Sequence, residues 1–363
     1  MNFLRVFAVC EKEAKEIIRD PATVLIALLM PLVMLFLFGY AVSLDVDNVS
    51  IGVVDQDRSP SSRALAEHFV ASEYFQYDGF YDSPSEAENA LQKGRIRLAV
   101  IIPPHFSEHL ARGETAPVQL LVDGTYSATA NLIAAYAGTI VREFTPSTPL
   151  VRAEIRVWYN PALRSATYVI PGLFGVILMA FPPLLTALGI TREKQTGSIQ
   201  QIFASPLSGT EFLAGKLIPY GIIAFLQIVM VIGVGFLWFD VPLKGNIVLL
   251  MAVGLIYVFC TVSIGLLVST ITKSQLVAML LTLIITMMPA FLFSGFLFPI
   301  FTMPYVLQAY ARIFPALYFV DFSRGLVLKG AALPALWPSA LILFIYTCAV
   351  FGLAVSRFHK KVA

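Results

Sequence analysis

Six long uncharged runs set the plan of the chain: residues 22–44, 167–190, 217–239, 247–269, 275–299 and 337–355. None contains Asp, Glu, Lys, Arg or His. Each is close to the roughly 20 residues that a helix needs to cross about 30 Å of hydrocarbon. Six transmembrane helices are therefore predicted. Ahead of the first, Phe3, Val6, Phe7, Cys10, Ala14, Ile17 and Ile18 recur at spacings of three and four among Arg5, Lys12, Lys15 and Arg19. That pattern predicts an amphipathic helix over 1–21 lying in the headgroup plane, with Asp20-Pro21 as the turn into the first span. The first run is too long for the apolar part of a signal peptide, although Ala41-Val42-Ser43 resembles a cleavage site.

Between the first and second runs the pattern changes. Short alternating stretches at Val49–Val54, Tyr74–Tyr81, Arg97–Ile102, Val118–Val122 and Ile155–Trp158 predict strands. Helix-like stretches near 61–71, 84–93, 104–111 and 127–144 separate them. The fold class is a mainly α-helical polytopic membrane protein with an inserted α/β domain over 45–166.

Composition agrees, with 58% hydrophobic and 13% charged residues, against about a quarter charged in soluble domains. The net charge of +2 conceals an uneven distribution, for residues 45–165 carry ten Lys and Arg against fifteen Asp and Glu. Lys and Arg counts in the short connections set the orientation. With the N-terminus inside, Arg5, Lys12, Lys15, Arg19, Arg192, Lys194, Lys216, Lys273, Arg357, Lys360 and Lys361 lie inside, eleven in all. Only four, Lys244, Arg312, Arg324 and Lys329, lie in the short outer segments. Both termini are expected in the cytoplasm and 45–166 outside it. No basic stripe with interleaved aromatics suits nucleic acid.

No charge occurs between Lys273 and Arg312, a stretch too long for one span. Pro289, Ser294, Gly295, Pro299 and Pro304 break it, and Pro315, Arg324 and Gly325 follow. A kinked, partly re-entrant outer gate over 289–330 is expected, since irregular backbone at membrane depth must be satisfied by protein or by a wet cavity.

Candidate chemistry is sparse. His105-Phe106-Ser107-Glu108-His109 fits an inverted zinc-protease pattern, but Pro103-Pro104 put His105 at the start of a short helix and no third ligand follows. Asp55-Gln56-Asp57 lacks the rest of a calcium loop and reads as a strand-end turn before a helix capped by Ser59 or Ser61. Gly215-Lys216 lacks the earlier glycine and the following Ser or Thr of a P-loop. Cys10, Cys260 and Cys348 are too scattered for a disulfide framework or a CxxC site. With no ionisable side chain in the runs, Gln227 is the most polar mid-span residue. An ion-coupled carrier is disfavoured, and the energy for any transport is expected from outside the chain.

The segment TREKQTGSIQQIFASPLSGTEFLAGK, residues 191–216, is the prominent inner connection. A short helix from Ile199 to Ala204, with charged and apolar faces, suits docking on a soluble partner. The segment resembles the intracellular coupling region of the ABC transporter type 2 permease family. Glu193-Lys194, Gly197-Ser198, Ser205-Pro206 and Gly215-Lys216 match its charged pair, Gly-Ser step, Ser-Pro and Gly-Lys. SGFLFPIFTMPYVLQAYARIFPALYFVDFSRGLVLKG, residues 294–330, is similar to that family's outer segment, and Asn160-Pro161 with Pro171-Gly172 to its entry into the second span.

The layout looks like the multidrug-efflux branch found in Gram-negative inner membranes. The resemblance implies a cytoplasmic ABC ATPase partner, which would hold ATP and Mg while this chain binds no cofactor. It also implies a second permease subunit, identical or paralogous, and leaves room for a periplasmic adaptor. ATPase-coupling residues would be Arg192, Glu193, Lys194, Gly197, Ser198, Ile199, Gln200, Phe203, Ser205 and Pro206. The alternatives are a membrane-anchored metalloenzyme using His105, Glu108 and His109, and a non-transporting envelope scaffold.

Overall fold

The structure, a computed structural model, describes residues 2–42, 49–72, 74–124, 127–144, 164–200 and 205–358. The chain divides into two compact units, residues 44–156 and the remainder. Among the described residues of the larger unit, six helices are long and apolar enough to cross a membrane. They are α2 (Pro21–Ala41), α7 (Ser165–Thr196), α8 (Gly209–Leu237), α9 (Ile247–Ile271), α10 (Gln275–Phe293) and α13 (Leu333–Arg357). Helix α1 (Phe3–Arg19) precedes them, and α11 (Tyr305–Ala311) and α12 (Pro315–Lys329) lie between the last two.

The six runs foreseen from hydropathy all fall on helices, but the bounds differ: α10 stops at Phe293, short of its run, and α7 and α8 extend furthest past theirs. α7 continues past residue 190 to Thr196, and α8 starts at Gly209, eight residues before its run. Backbone hydrogen bonding has no reason to stop where hydropathy does. Arg, Glu, Lys and Gln are good helix formers, and α8 opens on a capping box in which Ser208 and Glu211 satisfy each other's backbone N–H. Gly197, at φ 77°, ends α7 in the left-handed conformation that costs glycine little. The uncharged runs stay uncharged, and the ionisable residues lie on the extensions beyond them: Arg192, Glu193 and Lys194 on α7, Glu211 and Lys216 on α8, and Arg357 on α13.

α7 is the hub, packing against α2, α8, α9, α10 and α12. A main apolar core forms around it, including Phe174, Ile177, Val231, Tyr257, Phe319 and Phe322. Prolines in α2 and α7 deprive earlier carbonyls of their usual donor. In α2, Pro31 cannot donate to Ala27 O, and the amide of Gln227 on α8 does so instead at 2.7 Å. The most polar mid-span side chain thus repairs a proline break and ties two helices together. α12 is packed into the core through Phe319, Phe322 and Leu326. The preceding chain is not, since Phe301, Tyr305 and Val306 are each about 80–90% exposed.

The smaller unit holds a four-stranded sheet of order β2-β1-β3-β4. Its strands are β1 (Val49–Asp55), β2 (Phe75–Phe80), β3 (Leu98–Ile102) and β4 (Gln119–Val122). β1 runs parallel to β2 and β3, and β4 is antiparallel to β3. α3 (Pro60–Val70), α4 (Pro84–Gln92), α5 (Phe106–Ala111) and α6 (Ser127–Phe144) complete it. Alternation along the strands sends Ile51, Val53, Leu98 and Val100 into a core with Leu65, Phe69 and Ile133. The opposite face buries Val54, Ala99 and Ile101 with Ala87 and Ala90. The fifth strand expected, Ile155–Trp158, lies outside the described residues.

Candidate functional site

Three helices, α1, α7 and α8, meet in a buried ionic network at one end of the spans. Lys216 on α8 is fully buried, and its ammonium lies 2.5 Å from Glu13 Oε2 and 2.8 Å from Glu193 Oε2. Glu13 on α1 and Glu193 on α7 are themselves only 3% and 7% exposed. The Tyr220 hydroxyl donates to Glu13 Oε1 at 2.9 Å, and Lys12 pairs with Glu193 and, at 2.9 Å, with Glu16. Buried charge is tolerated only when paired and hydrogen-bonded, and here each carboxylate faces an ammonium. For Lys12, burial alone would depress the ammonium's affinity for its proton; the hydrogen bonds to Glu193 and Glu16 outweigh this and leave it raised.

Glycine makes the network possible at two points. A Cβ on Gly215 would lie 2.5 Å from Val9 Cβ, so α1 sits directly on the backbone of α8. A Cβ on Gly189 would lie 1.9 Å from the Tyr220 oxygen, so only glycine on α7 lets that hydroxyl reach Glu13. α1 is further fixed by Asn2 N donating to Glu211 Oε1 at 2.7 Å and Arg5 donating to Pro206 O at 2.6 Å. Its Val6, Val9 and Glu13 face the protein, whereas Phe3, Leu4, Phe7 and Ile18 remain exposed.

The three charges foreseen as a docking surface are engaged within the chain. Arg192 donates to Asp20 Oδ2 at 2.9 Å, Glu193 belongs to the buried network, and Lys194 donates to the carbonyls of Ser269, Thr270 and Thr272. A cation on the last carbonyls of α9 suits the negative end of that helix. Thr196 and Ser198 hydroxyls lie 3.1 Å apart, and Ile199 is buried. Gln200 and Pro206 are exposed, and Ser205 is half-buried. Phe203 lies outside the described residues, as does most of the short helix expected there.

A cavity of about 620 Å³ opens beside the network, walled by Ile17, Val24, Leu185, Leu188 and Ile223 and floored by Glu13, Glu16 and Glu193. Ligand oxygens of those three carboxylates come within 4.8 Å of one another. The ammonium groups of Lys12 and Lys216 already hold the oxygens a divalent cation would need, so the donor set fits an ion-pair network better than a metal centre.

Part of the outer-gate set converges on Arg324 of α12. Its guanidinium donates to Gly295 O at 2.7 Å, Phe296 O at 3.1 Å and Tyr168 O at 3.2 Å, and lies 3.7 Å from the centre of the Tyr168 ring. Ser323 donates to Pro171 O at 2.7 Å, and Gly172 leaves room for the guanidinium, which a Cβ would approach to 2.6 Å. Gly295, at φ 78°, turns the chain after Ser294, and Gly325 lets Leu336 pack closely. Pro315 opens α12 and is buried; Pro299 and Pro304 sit in exposed backbone, and Pro289 is buried within α10.

In the smaller unit His105 has φ 63° and its Nδ1 lies 3.4 Å from Glu108, while His109 Nδ1 pairs with Glu114 at 2.9 Å. The two imidazoles turn to different carboxylates. Asp55 accepts from Arg58 N and the Ser62 hydroxyl, both at 2.8 Å, and Asp57 accepts from Ser107 N at 3.1 Å, so these acids tie the strand-end turn.

A bundle of charge-poor spans, with a buried ionic network at one end and a half-buried arginine clamp at the other, suits a transport permease. The chain belongs to the ABC-2 family of transporter proteins, whose family model matches residues 21–356. It is 33% identical to an Escherichia coli K12 protein named "Probable multidrug ABC transporter permease YbhS", over 99% of this chain and 98% of that one. To "Probable multidrug ABC transporter permease YbhR" of the same organism it is 31% identical, over 99% and 100%. To its "Inner membrane transport permease YhhJ" it is 25% identical, over 100% and 99%. The chain is thus a multi-pass membrane permease subunit of an ABC exporter and not an enzyme; ATPase activity belongs to a separate partner subunit. The metalloenzyme and scaffold readings are not favoured.

Proposed function

We propose that this permease exports a small lipophilic, drug-like solute from the cytoplasm or the inner leaflet of a bacterial inner membrane. Both termini are cytoplasmic, residues 45–166 are extracytoplasmic, and two permease subunits pair with two ATPases that hold the ATP and Mg. A periplasmic adaptor is a further partner. The names of the relatives support the solute class, and the excess of inner over outer Lys and Arg supports the orientation.

One observation carries the coupling mechanism. α7 and α8 leave the span core as continuous helices, and the Lys216 network locks both to α1. A push at residues 197–208 is therefore delivered to two spans together. Arg192, Glu193 and Lys194 hold this base in shape, and the ATPase docks on the segment from Gln200 to Pro206, whose two ends are exposed. Pull-down of the intact complex from membranes should recover an ABC ATPase. Gln200→Trp and Phe203→Ala should each cut its recovery about tenfold, a loss of roughly 1.4 kcal/mol of binding, with membrane insertion unchanged. Unaltered recovery in both variants would sink the docking assignment.

A further inference from the structure

α7 is held by both clusters. Its outer half presents Tyr168 O to Arg324, Pro171 O to Ser323 and Gly175 O to the Tyr257 hydroxyl at 2.7 Å. Its inner half carries Gly189, Arg192, Glu193 and Lys194 of the base. Between them stand two adjacent buried prolines, Pro182 and Pro183. They remove the N–H groups that would bond Leu178 O and Met179 O, so one full step of the helix ladder is missing there. At the same level Gly265 brings α9 onto the break. A Cβ on it would lie 2.3 Å from Pro183 O and 2.9 Å from Thr186 Cβ.

The main core runs past this level to Ala187, Tyr220 and Val268, and beside its end Val9, Ile190, Phe212, Leu213, Leu266 and Ala354 form an apolar cluster of their own. That inner cluster draws on α1, α7, α8, α9 and α13, and Lys194 ties the end of α9 to α7 within it.

We propose that Pro182-Pro183, bearing on Gly265, is a joint at which this inner base swings against the outer part of the spans. Strong interactions hold each side, while the helix between them lacks two hydrogen bonds and has a smooth glycine contact as its bearing. Displacement of the ATPases then moves the base as a body, and the joint converts that movement into a bend of the second span. The inference rests on the exporter reading.

The test uses the complete permease–ATPase complex in membranes, with Cys10, Cys260 and Cys348 replaced by Ala and spin labels at Lys15→Cys, an exposed position on α1 of the base, and Lys329→Cys. Adding ATP with vanadate should shift the label distance by on the order of 2 Å when both prolines are present. Pro182→Ala/Pro183→Ala should abolish the shift while keeping the ATPase bound. Its thermal midpoint should match or exceed that of the parent, because alanine restores two donors and suits a helix. Gly265→Ala, which wedges a methyl against the bearing, should shrink the shift independently. An undiminished shift in the double variant overturns the joint, as does a lowered midpoint, which would make the prolines structural. Failure of the parent complex to retain any ATPase would instead refute the exporter reading.

Discussion

The two ends of the spans each hold a cation out of water, Lys216 fully buried and Arg324 half-buried, and they satisfy it by opposite means. Lys216 sits among carboxylates of Glu13 and Glu193 contributed by two other helices. Arg324 has carbonyl oxygens and the Tyr168 ring as its close partners. The chemistry follows from shape. A guanidinium is planar, weakly hydrated and able to fork onto several carbonyls, whereas an ammonium is a compact charge that needs counter-charge to leave water. The outer cluster is thus a fixed clamp of backbone on α7, Gly295 and Phe296. The inner one is a charge balance spread over three helices, which depends on every member.

That difference predicts unequal tolerance. Lys216→Met should be the most damaging single change, because it strands Glu13 and Glu193 in a dry site; breaking a buried pair this way costs about 3–5 kcal/mol. The expected readout is a large fall in the thermal midpoint of the purified chain and loss of α1 from the folded body. Lys216→Met with Glu13→Gln should recover part of the loss. If the single variant is as stable as the parent, the network does not hold the base.

Arg324→Lys keeps the outer charge but loses the fork. It should cost about 2 kcal/mol, since an ammonium on one stem cannot bond Tyr168, Gly295 and Phe296 while lying flat on a ring. Thermal stability would measure it. The reciprocal Lys216→Arg overfills a fully buried pocket and should also destabilise; a neutral exchange at both positions would erase the contrast.

Hydropathy and period alone made the spans and four strands legible, since burial writes itself into those patterns. The strands at Val49, Phe75, Leu98 and Gln119 needed only alternation to be found. What a charged residue faces was not legible. Arg192-Glu193-Lys194 reads as a solvated cluster, yet it folds back on Asp20, Lys216 and the end of α9. Glu13 left a faint signal, falling on the same helical face as Val6, Val9 and Ile17, where a carboxylate is out of place. Lys216 was visible as an inner positive charge, part of a failed nucleotide motif and a family match, but not as a buried ion-pair partner, because Glu13 lies 203 residues away and Glu193 is on a different helix. Gln227 could be paired with Pro31 only once α2 and α8 were seen side by side.

Gly189→Ala probes the inner network at lower stakes. Its methyl would displace the Tyr220 hydroxyl and remove one of the bonds on Glu13, while leaving the Lys216 pair in place. A hydrogen bond to a charged group is worth about 1.5–3 kcal/mol, so a loss near the low end is expected after relaxation. Tyr220→Phe should reproduce it, and Gly189→Ala in the Tyr220→Phe background should add little. Full additivity in that cycle would show that the glycine and the hydroxyl act separately.

The smallest effect belongs to Asp20, a half-buried carboxylate at the rim of the base, and it carries a sign that can be checked. Hydrogen bonds from Thr23, then the guanidinium of Arg192, hold its pKa below the usual carboxylate value. A lowered folded-state pKa means that its contribution is fully present above the unfolded value of about 3.9 and fades as pH falls through the lower, folded one. Asn caps helices as well as Asp does, so Asp20→Asn keeps the cap on α2 and removes only the charge facing Arg192. The variant should melt slightly below the parent at neutral pH, and the gap should close on the acid side. Because the cap is unchanged, a gap that persists at low pH would mean that the Asp20–Arg192 pair contributes nothing to holding α7 against the start of the first span.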